Sequence, residues 1–352
     1  MTLLAELWTS RYRATIVAAL LAGVAAPAWG QSRQMDGSLV GQLRMFQLRA
    51  LSGRIAATSR ASQQNLTSNR NNGPRREKLA IDLAGGMPNV SYECSTSDEK
   101  LSFEIVGGNK VTIEVMPRSA SNHPTIRFVQ PAEGSLSLTV DAAGHVTTYH
   151  APTLWHLLLI ESEVCHEHLI PFLEIMRPSW QLERRARQVE EALCRADSNQ
   201  FRLYHAAWGQ SVAALTNDRY AQRERAEQQL FGSGPAVLPY LRSLERADLD
   251  AEQRFRIKRV MRSLSSEGDE DTPERVTLWL SGDPRTWYAL LSRRDLAVRR
   301  TALARLSRLL EAAVDFTPEA SLAERNQQLA ILRERFADVL DPPAPTQISA
   351  PQ

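Results

Sequence analysis

The chain has 352 residues, of which 43% are hydrophobic and 23% charged, a composition typical of a globular protein of about two modest domains. Its 42 basic and 40 acidic residues give a formal net charge of +2, which argues against a dedicated nucleic-acid-binding protein. Three cysteines are too few for a disulfide-rich scaffold or a four-thiolate zinc module.

The first 30 residues contain the three parts of a secretory signal peptide. Arg11 and Arg13 precede an uncharged apolar run over residues 14–26, and small residues precede a cleavage site between Gly30 and Gln31. A helix of this run rises only about 20 Å, which is short of the roughly 30 Å hydrocarbon core of a bilayer. We therefore expect a secreted or periplasmic protein whose mature chain is soluble and has no transmembrane helix.

Residues 31–78 are predicted to form a basic N-terminal arm and linker. Apolar residues at helical spacing over 39–56 predict a docking helix, and the polar stretch over 57–76 predicts a flexible linker. A basic amphipathic helix can also lie on an anionic membrane, so peripheral membrane contact by residues 39–55 is an alternative. This alternative is less favoured, because the apolar stripe is short and contains no tryptophan.

Residues 79–177 are predicted to form a small antiparallel β-sheet covered by a long helix. Six short runs alternate between apolar and polar residues, which is the pattern of strands with one buried face. The runs cover residues 90–94, 101–105, 111–115, 125–129, 136–140 and 146–149. The long helix is predicted over 153–176, with Thr153 as its N-cap and a kink at Pro171.

Residues 178–340 are predicted to be all-helical, and residues 341–352 form a proline-rich tail that we expect to be disordered. Charged residues follow one side of each apolar stripe, and glycine, proline or acidic runs separate the stripes. The predicted helices cover residues near 181–195, 203–215, 219–231, 235–246, 250–265, 274–280, 284–292, 295–312 and 319–340.

Two segments of this helical half share one residue pattern, 76 positions apart. The shared residues are Tyr220, Arg223, Ala226 and Leu230 in the first segment, and Leu296, Arg299, Ala302 and Leu306 in the second. This pattern resembles a degenerate HEAT-like (armadillo-type) helical repeat, in which antiparallel helix pairs stack into a curved surface that binds other proteins. An irregular helical bundle is the alternative. The expected fold class is thus α+β, with the covered sheet followed by an all-α HEAT-like domain.

One segment of the predicted long helix concentrates metal-ligating side chains. Cys165 and His168 lie one turn apart on a helix, and Glu161 lies one turn before Cys165. A zinc site would need a further ligand from elsewhere, and His166-Glu167 does not continue as HExxH because position 170 is isoleucine. We expect these residues to be structural, and no cofactor is predicted.

Export would place the three cysteines in an oxidising compartment, where one disulfide could form among them. The sequence does not select a pair among Cys94, Cys165 and Cys194. No serine-hydrolase elbow or phosphate-binding glycine loop is present in the sequence. The sequence therefore favours a non-enzymatic protein-binding or scaffold protein of the periplasm or cell surface. The alternative is an envelope enzyme or metal-binding protein with a site where the 153–176 helix meets the sheet.

Overall fold

The computed structural model describes residues 39, 46–59, 65–83, 87–118, 123–196, 198–244, 249–265 and 270–340. In these ranges the fold is α+β, with ten strands preceding the helices. The predicted signal peptide, its Gly30–Gln31 cleavage site and the predicted tail at 341–352 lie outside the described residues. No helix within the described ranges is long and apolar enough to cross a membrane.

Eight consecutive strands form one antiparallel sheet in which each strand pairs with the next along the chain. They are β3 (Leu66–Asn72), β4 (Arg75–Asp82), β5 (Asn89–Ser95), β6 (Glu99–Val106), β7 (Lys110–Pro117), β8 (Thr125–Gln130), β9 (Leu136–Ala142) and β10 (His145–Ala151). The six predicted strands are confirmed, because each lies wholly within one of the strands β5 to β10, which extend beyond it by at most two residues at either end. In β6, for example, Leu101, Phe103 and Ile105 are buried on one face, as period-two alternation requires.

A separate hairpin precedes the sheet and corrects the first prediction. Strands β1 (Phe46–Leu51) and β2 (Arg54–Ser59) pair through a turn in which Ser52 and Gly53 have φ of 51° and 75°. The docking helix predicted over 39–56 is therefore wrong for residues 46–56. Leu48 and Ala50 are buried at alternate positions, so the apolar residues of this stretch follow the strand period.

The linker predicted over 57–76 is wrong where it meets β2, β3 and β4. Strand β3 has a polar sequence because it is the edge strand of the sheet, and most of its side chains are exposed. Membrane contact by residues 39–55 is also not supported, because the apolar residues described there are mostly buried. Leu39, Leu48 and Ala50 are each at most 5% exposed, and all belong to the hydrophobic core.

The helix predicted over 153–176 is replaced by three short helices. These are α1 (Leu154–Ile160), α2 (Ser162–His168) and α3 (Ile170–Met176), and Thr153 caps α1 as predicted. Pro171 lies in the first turn of α3, where its missing N–H costs no hydrogen bond. Of the three helices, α1 makes the clearest contact with the sheet, at β10, so a single long covering helix is not confirmed.

The remaining helices lie at their predicted positions, except that α5 begins five residues earlier than predicted and the single helix predicted over 319–340 is divided into α12 and α13. They are α4 (Leu182–Arg195), α5 (Ser198–Ala214), α6 (Tyr220–Gly232), α7 (Leu238–Ser243), α8 (Ala251–Ser265), α9 (Pro273–Leu280), α10 (Pro284–Leu290), α11 (Leu296–Leu309), α12 (Leu322–Arg335) and α13 (Ala337–Leu340). Two hydrophobic cores are present in the described ranges. The larger contains the hairpin, the sheet, α1–α4 and α9–α12, and so crosses the boundary predicted at residue 178. The smaller lies within residues 208–260.

Candidate interaction surface on helices α5 to α8

The smaller core joins four helices into one unit, residues 198–265. Trp208, Val212 and Leu215 from α5 and its C-terminal end pack with Ala226 and Leu230 of α6 and with residues of α7 and α8. The Gln253 side-chain amide on α8 donates a 3.1 Å hydrogen bond to the Val212 carbonyl oxygen. The unit therefore has its own packing, and its outer faces are available to solvent.

The residues of the two-copy pattern occupy equivalent positions in α6 and α11. Tyr220 and Leu296 begin their helices, and the alanine and leucine of each copy are buried. The Arg223 guanidinium donates to the carbonyl oxygens of the residues five and six positions before it, and Arg299 does the same. Each arginine thereby holds the loop that precedes its own helix.

A buried ion-pair cluster joins α6 to α8. The Glu227 side chain is fully buried, and its carboxylate accepts hydrogen bonds from Arg256, at 2.6 Å, and from Arg259. Arg256 also pairs with Glu252 at 2.6 Å, one turn earlier on α8. These contacts neutralise the charges between the two helices, as a buried carboxylate requires.

Beside this cluster, the Tyr220 ring lies close to two arginines. The guanidinium carbons of Arg223 and Arg256 are each 5.7 Å from the ring centroid, within range of a cation–π interaction. The tyrosine is nevertheless 64% exposed. A shallow open depression runs along α6 beside it, and its lining residues are Tyr220, Ala221, Glu224, Arg225, Gln228 and Gln229.

Four large side chains of this unit point to solvent. Leu203 is 71% exposed and Phe255 62%, and Tyr204 and Tyr220 are also exposed. We call these four residues the α5–α8 surface. Leu203 and Tyr204 lie toward the C-terminal end of α6, where the Trp208 indole N–H on α5 donates to the Ser233 hydroxyl, whereas Tyr220 begins α6. Tyrosine, phenylalanine and arginine are the residue types enriched at protein–protein interfaces, whereas a single exposed apolar residue is ordinary.

The α5 part of this surface carries no charge. From residue 203 to residue 217 the sequence has no Asp, Glu, Lys or Arg, and burial lowers the pKa of His205 to about 4, so that this ring is neutral near pH 7. His205 stacks against Trp208 and Tyr240, with ring centroids 5.2 and 5.0 Å apart. Aromatic packing therefore fixes the helix that presents Leu203.

The sequence interpretation did not identify the α5–α8 surface. The sequence pattern places Leu203 in a predicted helix but does not show that its side chain is exposed. Phe255 lies next to the buried residues of α8 and is itself exposed. Two signals in the sequence were available. Phe255 and Tyr220 fall off the apolar period of their helices, and the stretch 203–217 lacks charge in a chain that is 23% charged.

The predicted metal candidates do not form a metal site. Cys165 is fully buried, and its thiol donates a 3.5 Å hydrogen bond to the Leu157 carbonyl oxygen. Burial raises the pKa of Cys165 far above its usual value, so it is a poor ligand and nucleophile. His168 lies 3.7 Å from Glu167, and Glu161 occupies the break between α1 and α2. Within the described ranges, no three His, Cys, Asp or Glu side chains could share a metal ion.

No disulfide links the cysteines. Cys94, Cys165 and Cys194 are all free thiols. Cys94 is buried on β5 and Cys165 on α2, whereas Cys194 on α4 is half-buried. Burial raises the pKa of Cys194 to about 11. Cys165 and Cys194 are therefore protonated near pH 7.

A hydroxyl, an imidazole and a carboxylate come together beside α1, which the sequence interpretation missed. Thr153 Oγ1 and His156 Nδ1 are 2.7 Å apart, and His156 Nε2 is 3.6 Å from the Asp283 carboxylate. The hydroxyl also accepts from the His156 backbone N–H and is completely buried. Burial lowers the pKa of His156 to about 4. A substrate has no access to this hydroxyl, so the group is a buried helix cap.

Asp271 connects the hairpin to the helices. Its carboxylate accepts hydrogen bonds of 2.7 to 2.8 Å from the Ser52 and Gly53 backbone N–H groups and from the Trp155 indole N–H. The Arg242 side chain donates to the Ser52 carbonyl oxygen of the same turn. This arrangement satisfies buried polar groups and fixes the position of the turn.

Comparison of the chain with protein-family models, with curated proteins and with solved structures finds no match in any of the three.

Proposed function

We propose that this chain is an exported, non-enzymatic protein-binding or scaffold protein of the periplasm or cell surface, and that it binds another protein through the α5–α8 surface. The observation that carries the proposal is the exposure of Leu203, Tyr220 and Phe255 on one small unit with its own core. Large apolar and aromatic side chains at solvent positions are the usual anchors of a protein interface.

The geometry around these anchors supports the same function. Arg223 and Arg256 each lie 5.7 Å from the Tyr220 ring centroid, and these contacts restrict the ring before a partner covers it. From Leu203 to its C-terminal end α5 has no Asp, Glu, Lys or Arg, so an apolar surface can approach this part of the helix without the desolvation of a charged group. The surface therefore suits a partner whose contact region is apolar at its centre.

We also propose that α5–α6 and α10–α11 are two copies of a degenerate HEAT-like unit. The support is the matching role of Arg223 and Arg299 and the burial of Ala226 and Ala302 in equivalent positions. In each copy the small alanine allows a neighbouring helix to approach closely.

Export itself remains a proposal based on residues 1–30 of the sequence. Mass spectrometry of the protein recovered from its native cell tests it, because cleavage as proposed gives a chain that begins at Gln31. Recovery of a chain that still carries residues 14–26 would contradict cleavage.

Affinity purification from the native envelope fraction tests the binding function. The tagged wild-type protein should retain one stoichiometric protein partner, and a variant with Leu203→Ser and Tyr220→Ser should lose it. The matched control carries Val146→Ser and Leu322→Ser, which remove two other apolar side chains, each 63% exposed. Equal retention by all three proteins, or no partner with the wild type, would contradict the proposal.

A further inference from the structure

The solvent face of α8 carries a stripe of cations around one aromatic ring. Arg254, Phe255, Lys258 and Arg262 are all exposed, and at 100° per residue they fall within an arc of about 100°. We call these four residues the α8 stripe. Arg254, Lys258 and Arg262 follow one another at four-residue spacing, so that their Cα atoms rise by about 6 Å per step.

These cations differ from the other two arginines of the same helix. Arg256 and Arg259 pair with Glu227, and Arg256 also pairs with Glu252. In contrast, no carboxylate of the described residues lies within 4 Å of the side-chain nitrogens of Arg254, Lys258 or Arg262. The hydrogen bond of Arg254 is to the Asp250 backbone carbonyl oxygen, at 3.3 Å. Within the described part of the chain, the helix therefore pairs the two arginines that face α6 with carboxylates and leaves the three cations of the stripe without one.

We propose that the α8 stripe binds an acidic segment of the protein partner. This inference rests on the proposed binding function and specifies the chemistry of the partner. The segment would present carboxylates about 6 Å apart, opposite the three cations, together with an apolar side chain that covers Phe255. Charge complementarity of this kind speeds encounter and excludes partners of the wrong charge.

An anionic membrane surface fits the stripe less well than an acidic protein segment. Phe255 is the only large apolar side chain of the stripe, whereas stable attachment to a bilayer needs a broad apolar face or a second anchor. Glu252 and Glu224 lie near the stripe with 45% and 37% of their side chains exposed. A flat anionic surface would bring these carboxylates close to like charges, whereas a protein segment can follow the stripe alone.

A synthetic helical peptide tests the inference directly. The probe carries glutamates at four-residue spacing and one leucine, and the matched peptide has glutamine in place of each glutamate. Fluorescence anisotropy with the whole protein should detect binding of the glutamate peptide and not of the glutamine peptide. Raising the salt concentration from 0.05 to 0.3 M should weaken binding, because exposed charge pairs are screened.

The decisive comparison uses two triple variants with the same change in net charge. The variant of the stripe carries Arg254→Gln, Lys258→Gln and Arg262→Gln. The control carries Arg70→Gln, Arg76→Gln and Lys78→Gln, which are exposed positions on β3 and β4. We expect the stripe variant to bind the glutamate peptide at least tenfold more weakly, and the control to stay within twofold of the wild type. Phe255→Ala, which leaves the charges in place, should weaken binding about fivefold.

Other outcomes overturn the inference. An equal loss in both triple variants would show that net charge, not the stripe, determines binding. Binding to vesicles of 30% phosphatidylglycerol without binding to the peptide would assign the stripe to a membrane. If the stripe variant still retains the native partner that the wild type retains, the inference fails while the proposed function stands. If the wild type retains no partner, the proposed function fails.

Discussion

Exposed charges are paired differently in two regions of the molecule. One region is the body built on the sheet, and the other is the α5–α8 unit, residues 198–265. On the outer face of the sheet, exposed charges are matched across strands, as Lys100 with Glu93 at 3.3 Å and Arg127 with Glu114 at 2.8 Å. On α8, Arg256 and Arg259 are matched by Glu227, whereas no carboxylate of the described residues pairs with Arg254, Lys258 or Arg262. The body pairs these exposed charges across its strands, whereas α8 presents three cations in a row along one face without such pairs, an arrangement that suits an acidic partner.

The cores also differ in how they hold a buried carboxylate. Asp271 accepts hydrogen bonds from backbone and indole N–H groups in the larger core. Glu227 in the smaller core is paired with two arginines. The first arrangement fixes the backbone of a turn, and the second joins two helices through side chains. Substitution of Asp271 therefore tests the stability of the larger core, and substitution of Glu227 tests the packing of α6 against α8 in the smaller core.

The largest effect is expected for Asp271→Ala. The substitution leaves the Ser52 and Gly53 N–H groups and the Trp155 indole N–H buried without an acceptor. We expect the free energy of unfolding to fall by about 3–5 kcal/mol. Urea unfolding followed by tryptophan fluorescence measures this, with the exposed Asp338→Asn as a control that should change it by less than about 0.5 kcal/mol. A loss below about 1 kcal/mol would contradict the role of Asp271.

Much of the helical architecture was predictable from the sequence, whereas the hairpin was not. Amphipathic stripes located α4 to α12, which have 6 to 17 residues, because each helix repeats its burial pattern over about two turns or more. Strands β1 and β2 have six residues each, and the spacing of Leu48, Leu51 and Ile55 also fits a helix. The Ser52-Gly53 turn is the one local feature that favours a β-hairpin over a helix in this stretch.

The candidate surface was less predictable than the fold, since exposure depends on tertiary packing. Phe255 would be buried if a further helix packed on that side of α8, and nothing in the local sequence decides this. The surroundings of Glu161, Cys165 and His168 also depend on structure beyond the local sequence. The pattern predicted one continuous helix over 153–176, whereas the chain breaks at Glu161 and Leu169, so that only Cys165 and His168 share a helix.

In the smaller core, Glu227→Ala should lower the stability of the α5–α8 unit without lowering the stability of the sheet. It removes the carboxylate between Arg256 and Arg259 and should destabilise the α5–α8 unit by about 3 kcal/mol. Hydrogen–deuterium exchange should become faster over residues 198–265 and stay unchanged in β5 to β9. Glu224→Ala is the matched control, because Glu224 is partly exposed and lies 3.5 Å from Arg256. Faster exchange throughout the sheet would show that the two cores unfold together.

The pH dependence of stability should depend on Asp271. Burial raises the pKa of Asp271 to about 6, so the unfolded chain releases this proton at lower pH than the folded chain. Between about pH 4 and pH 6, rising pH therefore favours the unfolded state. Relative to Asp271→Asn, the free energy of unfolding of the wild type should fall by on the order of 2–3 kcal/mol over this range and then level off. An increase with pH would contradict the assignment.

Two glycines in tight turns should respond differently to alanine. At Gly53, with φ of 75°, an added Cβ would lie 2.5 Å from the Thr153 Cβ, whereas at Gly73, with φ of 61°, it would meet nothing within 4 Å. We expect Gly53→Ala to cost about 2–3 kcal/mol and Gly73→Ala about 1 kcal/mol, from backbone strain alone. Thermal unfolding distinguishes them, and equal losses would contradict the close packing of the hairpin turn on Thr153.

The smallest effects test the proposed repeat. Arg299 is 6% exposed and also donates to the Pro318 carbonyl oxygen at 2.7 Å, whereas 24% of the Arg223 side chain is exposed. Arg299→Ala should therefore lower the free energy of unfolding by about 2 kcal/mol and Arg223→Ala by about 1 kcal/mol. Chemical denaturation of both variants measures this. No loss in either would contradict the shared loop-holding role.

Crosslinking of the captured complex, followed by mass spectrometry of the linked peptides, tests the central claim most directly. The account predicts that links to the partner concentrate in residues 198–265, and that they disappear with Leu203→Ser and Tyr220→Ser while the fold persists. Links concentrated on the outer face of β5 to β9 would contradict the account, because they would place the binding surface on the sheet.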